Sequence, residues 1–381
     1  MKIGLARRID GVDRTLIRRI FDSAPPGAIN FGLGQPDLPT VPSAALAGVA
    51  AIVDGRTSYT ATAGDAELRV AIAARYPGFA TGPGSVLVTV GTQEAMFAAC
   101  LALVDAGDEL LYPEPGYPAY PLVARLIGAR PVPYPLRPER GFRLDPDDLT
   151  ERLSPRTRLV ILCSPSNPTG TAIGSADLAT IVERLGARGV PWISDEIYAG
   201  LWYDAPTPAP WRLVPEGGLV ISGLSKDASM TGWRVGWIVG AEETIARLNA
   251  VHQYLVTCAP SISQQAAKGA LRPAGLAEQE RYRQAFCERR RVMAERLASI
   301  PRLRFTPPDG AFYFFVDVSA YGESLELARR ILERRQVITI PGEAFGPSGA
   351  GWIRLSFACD VATIREGMER IAAELGRIAA G

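Results

Sequence analysis

Histidine is almost absent from the chain, and this removes several catalytic mechanisms at once. The 381 residues include one histidine, His252. A Ser-His-Asp hydrolase would have to use this side chain, and the G-x-S-x-G pattern of many such hydrolases does not occur. Metal centres built from several imidazole groups are excluded for the same reason. The sequence therefore predicts neither a serine hydrolase nor a metal site.

Cysteines and long apolar runs are also scarce. Five cysteines lie far apart without a C-x-x-C pair, at Cys100, Cys163, Cys258, Cys287 and Cys359. This spacing favours separate, reduced thiols over a disulfide framework or a zinc site. No apolar run approaches the roughly 18 residues of a membrane span, and residues 1–21 lack the apolar core of a secretory signal. We expect a cytoplasmic protein that does not enter a membrane.

Lysine is the third scarce residue, although the chain has 41 basic residues against 40 acidic ones. The net charge of +1 gives no reason to expect nucleic acid or an anionic membrane as a partner. Only Lys2, Lys226 and Lys268 are lysines, and glycine precedes none of them. The phosphate-binding pattern G-x-x-x-x-G-K-[ST] is thus absent, which excludes phosphoryl transfer through such a loop.

Lys226 lies among small residues in the segment "SGLSKDASMTGWRVGW". Arginine stands at almost every other basic position, so a lysine here invites a chemical explanation. An amine that loses its proton attacks a carbonyl, whereas a guanidinium does not. Lys226 is therefore a candidate nucleophile, although a surface loop explains it equally well when it is taken alone.

Short apolar runs alternate with helical patterns from about residue 86 onward. The runs that read as strands are 86–90, 109–112, 130–136, 158–163, 190–194, 218–222 and 234–240. Nearly continuous apolar strands that alternate with helices predict an α/β fold, with a mostly parallel sheet between two layers of helices. After about residue 285 the pattern changes to that of a smaller α+β unit. We expect a large domain at 46–285 and a small domain formed by 1–45 with 286–381.

Polar residues follow two strands of this predicted sheet. Ligands of parallel sheets bind beyond the carboxyl ends of the strands. Gly91 and Thr92 follow the strand 86–90, where they fit either an ordinary capped helix or a phosphate seat at a helix N-terminus. Asn167 lies in "SPSNPTG", which a tight turn also explains. Neither motif decides between the two interpretations by itself.

Charged residues follow two further strands. Asp195 comes directly after the strand 190–194, where a buried charge needs a cationic partner because an unpaired ion costs several kcal/mol. That partner is either an internal basic side chain or a ligand cation. Lys226 follows the strand 218–222, with Ser225 before it and Arg234 shortly after it.

Together the strand ends suit a single phosphorylated, cationic aldehyde. Its phosphate would lie at Gly91, Thr92, Ser225 and Arg234, its ring cation at Asp195 and its imine at Lys226. Pyridoxal phosphate is the cofactor that needs a lysine imine and an acidic partner for its ring nitrogen. The combination, rather than any one motif, predicts this cofactor.

These motifs place the chain in a known family by resemblance. It resembles the class I/II aminotransferases of the aspartate aminotransferase superfamily, which are pyridoxal phosphate enzymes of fold type I. The resemblance covers nearly the whole length and rests on segments in a fixed order: "NFGLGQPDLPT", "YTATAGDAELRVAIA", "VGTQEAMF", "PEPGYPAY", "SPSNPTG", "SDEIYAGL", "SKDASMTGWRVGW" and "WIRLSFA". It implies a ping-pong transfer of an amino group from an L-amino acid to a 2-oxo acid.

The resemblance also implies roles for the residues that contact the cofactor ring. Lys226 would be the Schiff-base lysine and the proton carrier. Asp195 would pair with the protonated pyridine nitrogen. Tyr198 and Asn167 would form hydrogen bonds with the 3′-oxygen of the ring, and Tyr117 would stack on its face.

Phosphate and substrate residues follow from the same resemblance. The phosphate would be held by Gly91, Thr92, Ser225 and Arg234, joined by Tyr59 of the partner subunit. Arg354, which could otherwise be an outward residue of an edge strand, would bind the substrate α-carboxylate through a bidentate fork. Asn167 and the backbone of Gly34 would assist it. The resemblance thus implies a homodimer with shared active sites.

Two positions depart from the family or stand outside its pattern. Members often carry a serine phosphate ligand three residues before the lysine, and this chain has Gly223 there. His252 is expected to be structural or exposed, with a minor role in substrate binding left open.

Two other functions compete with aminotransfer. A pyridoxal-phosphate-dependent carbon–sulfur β-lyase would use the same cofactor residues. A non-catalytic regulator on this fold would need a DNA-binding module, for which the sequence before "NFGLGQPD" has no room. The sequence does not identify the amino donor, since no arginine can be assigned as the partner of a second substrate carboxylate.

Overall fold

A computed structural model describes residues 4–380. Within them the α-helices are α1 Leu16–Asp22, α2 Pro42–Val53, α3 Ala66–Ala73, α4 Gly91–Leu103, α5 Ala119–Leu126, α6 Pro146–Thr150, α7 Ser175–Ala187, α8 Glu242–Val256, α9 Ser261–Leu271, α10 Pro273–Ala298, α11 Ser324–Arg335 and α12 Val361–Ala380. The strands are β1 Ile29–Asn30, β2 Val86–Thr89, β3 Glu109–Glu114, β4 Arg130–Pro135, β5 Thr157–Cys163, β6 Trp192–Asp195, β7 Gly218–Gly223, β8 Gly236–Val239, β9 Arg304–Phe305, β10 Tyr313–Asp317, β11 Val337–Ile338, β12 Ile340–Pro341 and β13 Trp352–Ser356. Short 3-10 helices lie at Arg7–Ile9, Pro83–Ser85, Pro138–Arg140, Pro210–Arg212, Ser319–Tyr321, Gly342–Phe345 and Pro347–Gly349.

The larger sheet has the strand order β2-β8-β7-β6-β5-β3-β4. Strand β8 runs antiparallel to both neighbours, and the other pairings are parallel. Both faces are buried, as the alternation in β5 shows. Leu159 and Ile161 pack into one core cluster, and Val160 and Leu162 pack into another. The predicted α/β class with a mostly parallel sheet is confirmed.

Two strands begin later than the sequence pattern predicts. Strand β6 begins at Trp192 instead of residue 190, because Pro191 has no N–H to donate to a neighbouring strand. Strand β8 begins at Gly236 instead of residue 234. Arg234 has φ +54°, a left-handed conformation that a strand does not accommodate. The left-handed turn instead places Arg234 beside the start of α4.

The smaller sheet is antiparallel, with the order β12-β13-β10-β9. Apolar side chains of helices α10, α11 and α12 join those of β10 and β13 in one core cluster. The two-residue strand β1 pairs with β11, which brings the N-terminal segment against this unit. The smaller α+β unit has the character that the sequence predicts.

The domain boundary at 285/286 stays a prediction. It falls inside the continuous helix α10, Pro273–Ala298. Helix α2 has its N-terminus near the larger sheet's loops, where the amide of Val41 donates to the carbonyl of Ala228 at 3.2 Å. The N-terminal segment therefore contacts both units.

Candidate active site

A cavity of about 300 Å³ lies beyond the carboxyl ends of β5, β6 and β7. Parallel strands carry their carboxyl ends to one edge, so residues far apart in the sequence meet there. The predicted residues that line the cavity are Gly34, Thr92, Tyr117, Asn167, Asp195, Tyr198, Ser225, Lys226, Arg234 and Arg354. Two predicted residues are not part of the lining. Gly91 precedes the lining residue Thr92 in the chain, and Tyr59 has 86% of its surface exposed.

The start of α4 forms one end of the cavity. Gly91 has φ +74°, and a Cβ built on it would lie 2.6 Å from Nη2 of Arg234. Gly236 is equally confined, since a Cβ there would lie 2.9 Å from the amide nitrogen of Thr92. The first amides of a helix have no intrahelical acceptor and favour anions. Glycine at both positions thus keeps an arginine and a helix N-terminus together, a set of donors that suits a phosphate group.

The only histidine of the chain contacts helix α4 through Glu94. His252 is fully buried, and its Nδ1 lies 3.1 Å from Oε1 of Glu94. The other carboxylate oxygen of Glu94 accepts a hydrogen bond from the amide of Val90 at 3.1 Å. His252 is absent from the cavity lining, so its contacts are those of a structural residue.

Asp195 ends β6 as a buried carboxylate. Its Oδ2 accepts a hydrogen bond from the Tyr120 hydroxyl at 2.8 Å, and its Oδ1 accepts one from the amide of Ile197 at 3.3 Å. Burial raises the pKa of Asp195, while the Tyr120 bond and the charge of Lys226 oppose that shift. Among residues 4–380 no basic side chain forms a salt bridge with it. Asp195 thus offers a buried carboxylate to a cation bound in the cavity.

Lys226 follows β7 and reaches across the cavity. Its Nζ donates a hydrogen bond to the carbonyl oxygen of Gly34 at 2.7 Å. Burial lowers the pKa of Lys226 to about 8, helped by the positive charges of Arg354 and Arg234 and opposed by Asp195. At pH 7 roughly one amine in ten is then neutral, far more than for an ordinary lysine. A neutral amine is the form that acts as a nucleophile or a base, so the predicted role of Lys226 is compatible with neutral pH.

Arg354 on β13 is a second charged residue of the cavity that is buried and forms no salt bridge with another described residue. It is 2% exposed, and its Nη1 donates to Oδ1 of Asn167 at 2.8 Å. Its Nη2 donates to the carbonyl of Gly32, and its Nε has no partner. The guanidinium carbon lies 4.4 Å from the ring centre of Tyr313 and 4.7 Å from that of Phe345. The planar fork of a guanidinium matches the geometry of a planar anion such as a carboxylate.

Several cavity residues escaped the sequence analysis. Tyr120 follows Tyr117 by three residues in "PEPGYPAY", where its amide donates to the carbonyl of Tyr117 at 3.2 Å in the turn that leads into α5, and this second tyrosine of the motif is a signal that could have revealed it. Tyr313 donates to or accepts from the Tyr198 hydroxyl at 2.8 Å, and only the register of β10 against β13 reveals its position. Gln93 accepts a hydrogen bond from Tyr117 at 3.1 Å.

Gly223, which departs from the family pattern, lies in a tightly packed part of the sheet. It ends β7, where it pairs with Gly236 of β8. A Cβ at position 223 would lie 3.0 Å from both the Cα of Gly236 and the carbonyl oxygen of Val235. Gly223 is also absent from the cavity lining. A side chain at position 223 would therefore require β7 and β8 to move apart by a few tenths of an ångström.

Comparison with known proteins identifies the family. The family model for aminotransferase class I and II matches residues 26–371. The chain is a class I and II aminotransferase. This aminotransferase is 33% identical to an aspartate aminotransferase of Pyrococcus horikoshii, over 97% of each chain. It is 37% identical to an arginine–pyruvate transaminase of Pseudomonas aeruginosa, over 90% of this chain and 88% of the other.

Solved structures give the same result. The aminotransferase superposes on an aspartate aminotransferase from Thermus thermophilus, solved with maleate, with a TM-score of 0.92 and 31% identity. The match covers 98% of this chain and 100% of the other. The predicted family, fold type and transferase activity are therefore confirmed, and the lyase alternative is not favoured. None of the helices in residues 4–380 is both long and apolar enough to cross a membrane.

Proposed function

We propose that this aminotransferase binds pyridoxal phosphate in the cavity and moves an amino group from an L-amino acid to a 2-oxo acid by a ping-pong sequence. One observation carries the proposal. A buried carboxylate without a salt bridge, Asp195, and a buried guanidinium without one, Arg354, line the same cavity as the low-pKa amine of Lys226. A cofactor with a cationic ring, together with a substrate carboxylate, would neutralise both charges.

The residues present fit the cofactor. The start of α4, with Gly91 and Thr92, would hold the phosphate together with Ser225 and Arg234. Tyr117 would cover one face of the ring, since its hydroxyl is held by Gln93. When bound, pyridoxal phosphate supplies an aldehyde that joins to amines and a protonated pyridine ring that draws electron density from the substrate Cα.

Polar side chains would orient the ring. Asp195 would keep the proton on the pyridine nitrogen, because a carboxylate favours the charged form of its neighbour. Tyr198 would donate its hydroxyl proton to the 3′-oxygen. Asn167 uses Oδ1 to accept from Arg354, so its amide nitrogen is the group that would donate to the same oxygen.

Two basic residues, Arg354 and Lys226, would bind the substrate and move its proton. Arg354 would bind the α-carboxylate and thereby orient the Cα proton toward Lys226. Nζ of Lys226, once neutral, would take that proton from Cα and return one to the cofactor carbon that carries the amino nitrogen. Its lowered pKa keeps a neutral fraction available near pH 7 to 8. The backbone of Gly34 would assist Arg354 at the α-carboxylate, and the Gly34 carbonyl accepts a hydrogen bond from Nζ of Lys226.

We also propose a homodimer in which Tyr59 of the partner subunit completes the phosphate site. An apolar face of α2 supports it, since the large side chains of Leu46, Val49, Ile52 and Val53 are exposed there. Contiguous exposed apolar surface marks interaction sites. Tyr59 follows this helix and is itself exposed. The cytoplasmic location stays a prediction.

The test is a half-reaction monitored by visible absorption. Purified protein loaded with pyridoxal phosphate is mixed with single amino acids without any oxo acid. We expect the yellow band to bleach with certain donors and to return on addition of 2-oxoglutarate or pyruvate. A band that persists while pyruvate and ammonia accumulate would instead assign the chain to the β-lyases. The donors that bleach the band identify the substrate class.

A further inference from the structure

We propose that Tyr313 is a positioning residue that joins the cofactor side of the site to the substrate side. Its hydroxyl supports Tyr198 and its ring supports Arg354. The inference rests on the proposed function, and it assigns to Tyr313 two separable tasks, one for each part of its side chain.

Strand register places the side chain between the two groups. Tyr313 pairs with Ser356, and Phe315 pairs with Arg354, in the antiparallel ladder of β10 and β13. Residues two apart on a strand share a face, so Tyr313 and Arg354 are diagonal neighbours on one face of the sheet. The distance of 4.4 Å from the guanidinium carbon to the ring centre follows from this register. Tyr313 is fully buried, so its position is fixed.

The hydroxyl of Tyr313 has one well-defined partner. It lies 2.8 Å from the hydroxyl of Tyr198, and the two rings meet nearly edge to face at 79°. A tyrosine hydroxyl has one proton to donate. If Tyr198 donates its proton to the 3′-oxygen of the cofactor, its own oxygen becomes the acceptor and Tyr313 must be the donor. Hydrogen bonds in such a chain polarise one another, so Tyr313 makes Tyr198 the stronger donor.

The third neighbour of Tyr313 is the backbone that holds Lys226. A Cβ at Gly34 would lie 2.2 Å from the Tyr313 hydroxyl, so this backbone and the hydroxyl are in close contact. The carbonyl of the same glycine accepts from Nζ of Lys226 at 2.7 Å. Tyr313 thus contacts Tyr198, the proposed donor to the 3′-oxygen, and Arg354, the proposed carboxylate ligand. It also contacts Gly34, which accepts the hydrogen bond of Lys226.

The ring and the hydroxyl predict different effects. Loss of the hydroxyl weakens the donor to the 3′-oxygen, which stabilises negative charge on that oxygen less well. The nitrogen that joins Lys226 to the cofactor then keeps its proton to higher pH, and the pH midpoint of the visible absorption band rises. Loss of the ring removes a buried cation–π contact from Arg354, which weakens binding of the substrate carboxylate.

The experiment compares Tyr313→Phe, Tyr313→Leu and Phe345→Leu in the pyridoxal-phosphate-loaded enzyme. Phe345 is the matched control, because its ring lies 4.7 Å from the guanidinium carbon of Arg354 and the hydroxyl partner of Tyr198 is untouched by its removal. For each variant, the pH midpoint of the absorption band is titrated and KM for the amino donor is measured. Thermal melting and cofactor content verify that each variant is folded and loaded.

We expect Tyr313→Phe to raise the pH midpoint by about half a unit and to keep KM within about twofold of wild type. Phe345→Leu is expected to raise KM on the order of tenfold without moving the midpoint, and Tyr313→Leu to do both. An unchanged midpoint in Tyr313→Phe, or an equal rise of KM in Tyr313→Phe and Phe345→Leu, would overturn the inference. If Tyr313→Leu does not fold, Tyr313→Phe still decides the task of the hydroxyl, and an unchanged midpoint in that variant is enough to overturn the inference.

Failure of the proposed function would look different. In that case the wild-type chain itself would show no visible band or no bleaching with amino acids. A wild type that transaminates beside a Tyr313→Phe variant with an unchanged midpoint rejects this inference alone.

Discussion

Replacing Lys226 with methionine is expected to stabilise the cofactor-free protein at neutral pH, although it abolishes catalysis. In the folded chain the pKa of Lys226 is about 8, against an ordinary value of 10.5. Each pKa unit corresponds to about 1.36 kcal/mol, so the folded state loses about 3 kcal/mol by holding the ammonium ion at pH 7. Methionine has a similar length and no charge. The hydrogen bond to Gly34 is lost, at a cost of about 1 kcal/mol, which leaves a net gain of about 2 kcal/mol.

The pH dependence gives this prediction its signature. Between pH 8 and pH 10.5 the unfolded chain binds more protons at Lys226 than the folded chain does. The free energy of unfolding of the wild type therefore rises with pH across this window, and the variant lacks that rise. The advantage of Lys226→Met should be fully present below pH 8 and close to zero by about pH 10.

Urea unfolding of the cofactor-free proteins, at equal concentrations and at pH 7 and pH 10, measures both effects. Lys268→Met is the matched control, because Nζ of Lys268 forms hydrogen bonds with Asp65 at 3.2 Å and Glu67 at 2.9 Å. Its removal is expected to leave stability unchanged or lower it. A Lys226→Met protein that is less stable than wild type at pH 7, or a difference that is equal at both pH values, would refute the reasoning.

Three further substitutions test separate parts of the site. Tyr120→Phe removes a donor that favours the ionised form of Asp195. Ionising this carboxyl to pair with the cofactor ring then costs more, so the dissociation constant of pyridoxal phosphate in a fluorescence titration should rise about tenfold. An unchanged constant contradicts the contact. Arg354→Gln should lower kcat/KM for amino acids on the order of a hundredfold but leave the matching amines, which lack a carboxylate, within about threefold; equal losses for both argue against carboxylate binding. Gly236→Ala places a Cβ 2.9 Å from the amide of Thr92 and should weaken phosphate binding to the cofactor-free protein in calorimetry, whereas wild-type affinity would show that this spacing is unimportant.

Much of the site could be predicted from the sequence because of how parallel sheets are built. Asp195, Lys226 and Asn167 follow strands whose apolar runs are visible in the sequence, and parallel strands deliver the residues after them to one edge. Locating the strands was therefore enough to bring these three together. The roles of the residues stay predictions until they are measured.

Other features depend on three-dimensional detail that the pattern does not contain. Tyr313 faces Arg354 only because of the register between β10 and β13, and the sequence of either strand allows more than one register. The left-handed conformation of Arg234 is rare for a residue with a side chain, so the pattern extended a strand through it. The absence of a salt bridge to Asp195 among residues 4–380 depends on all of its neighbours together, so only the fold reveals it.

The central claim, that Lys226 is the residue that binds the cofactor, can be tested by reduction with borohydride followed by peptide mass spectrometry. The chain suits this measurement because it has only three lysines, Lys2, Lys226 and Lys268. We expect the protein incubated with pyridoxal phosphate and reduced to carry one pyridoxyl phosphate group, on the peptide that contains Lys226, and Lys226→Met to carry none. A group found mainly on Lys2 or Lys268, or an equal yield from Lys226→Met, would contradict the account.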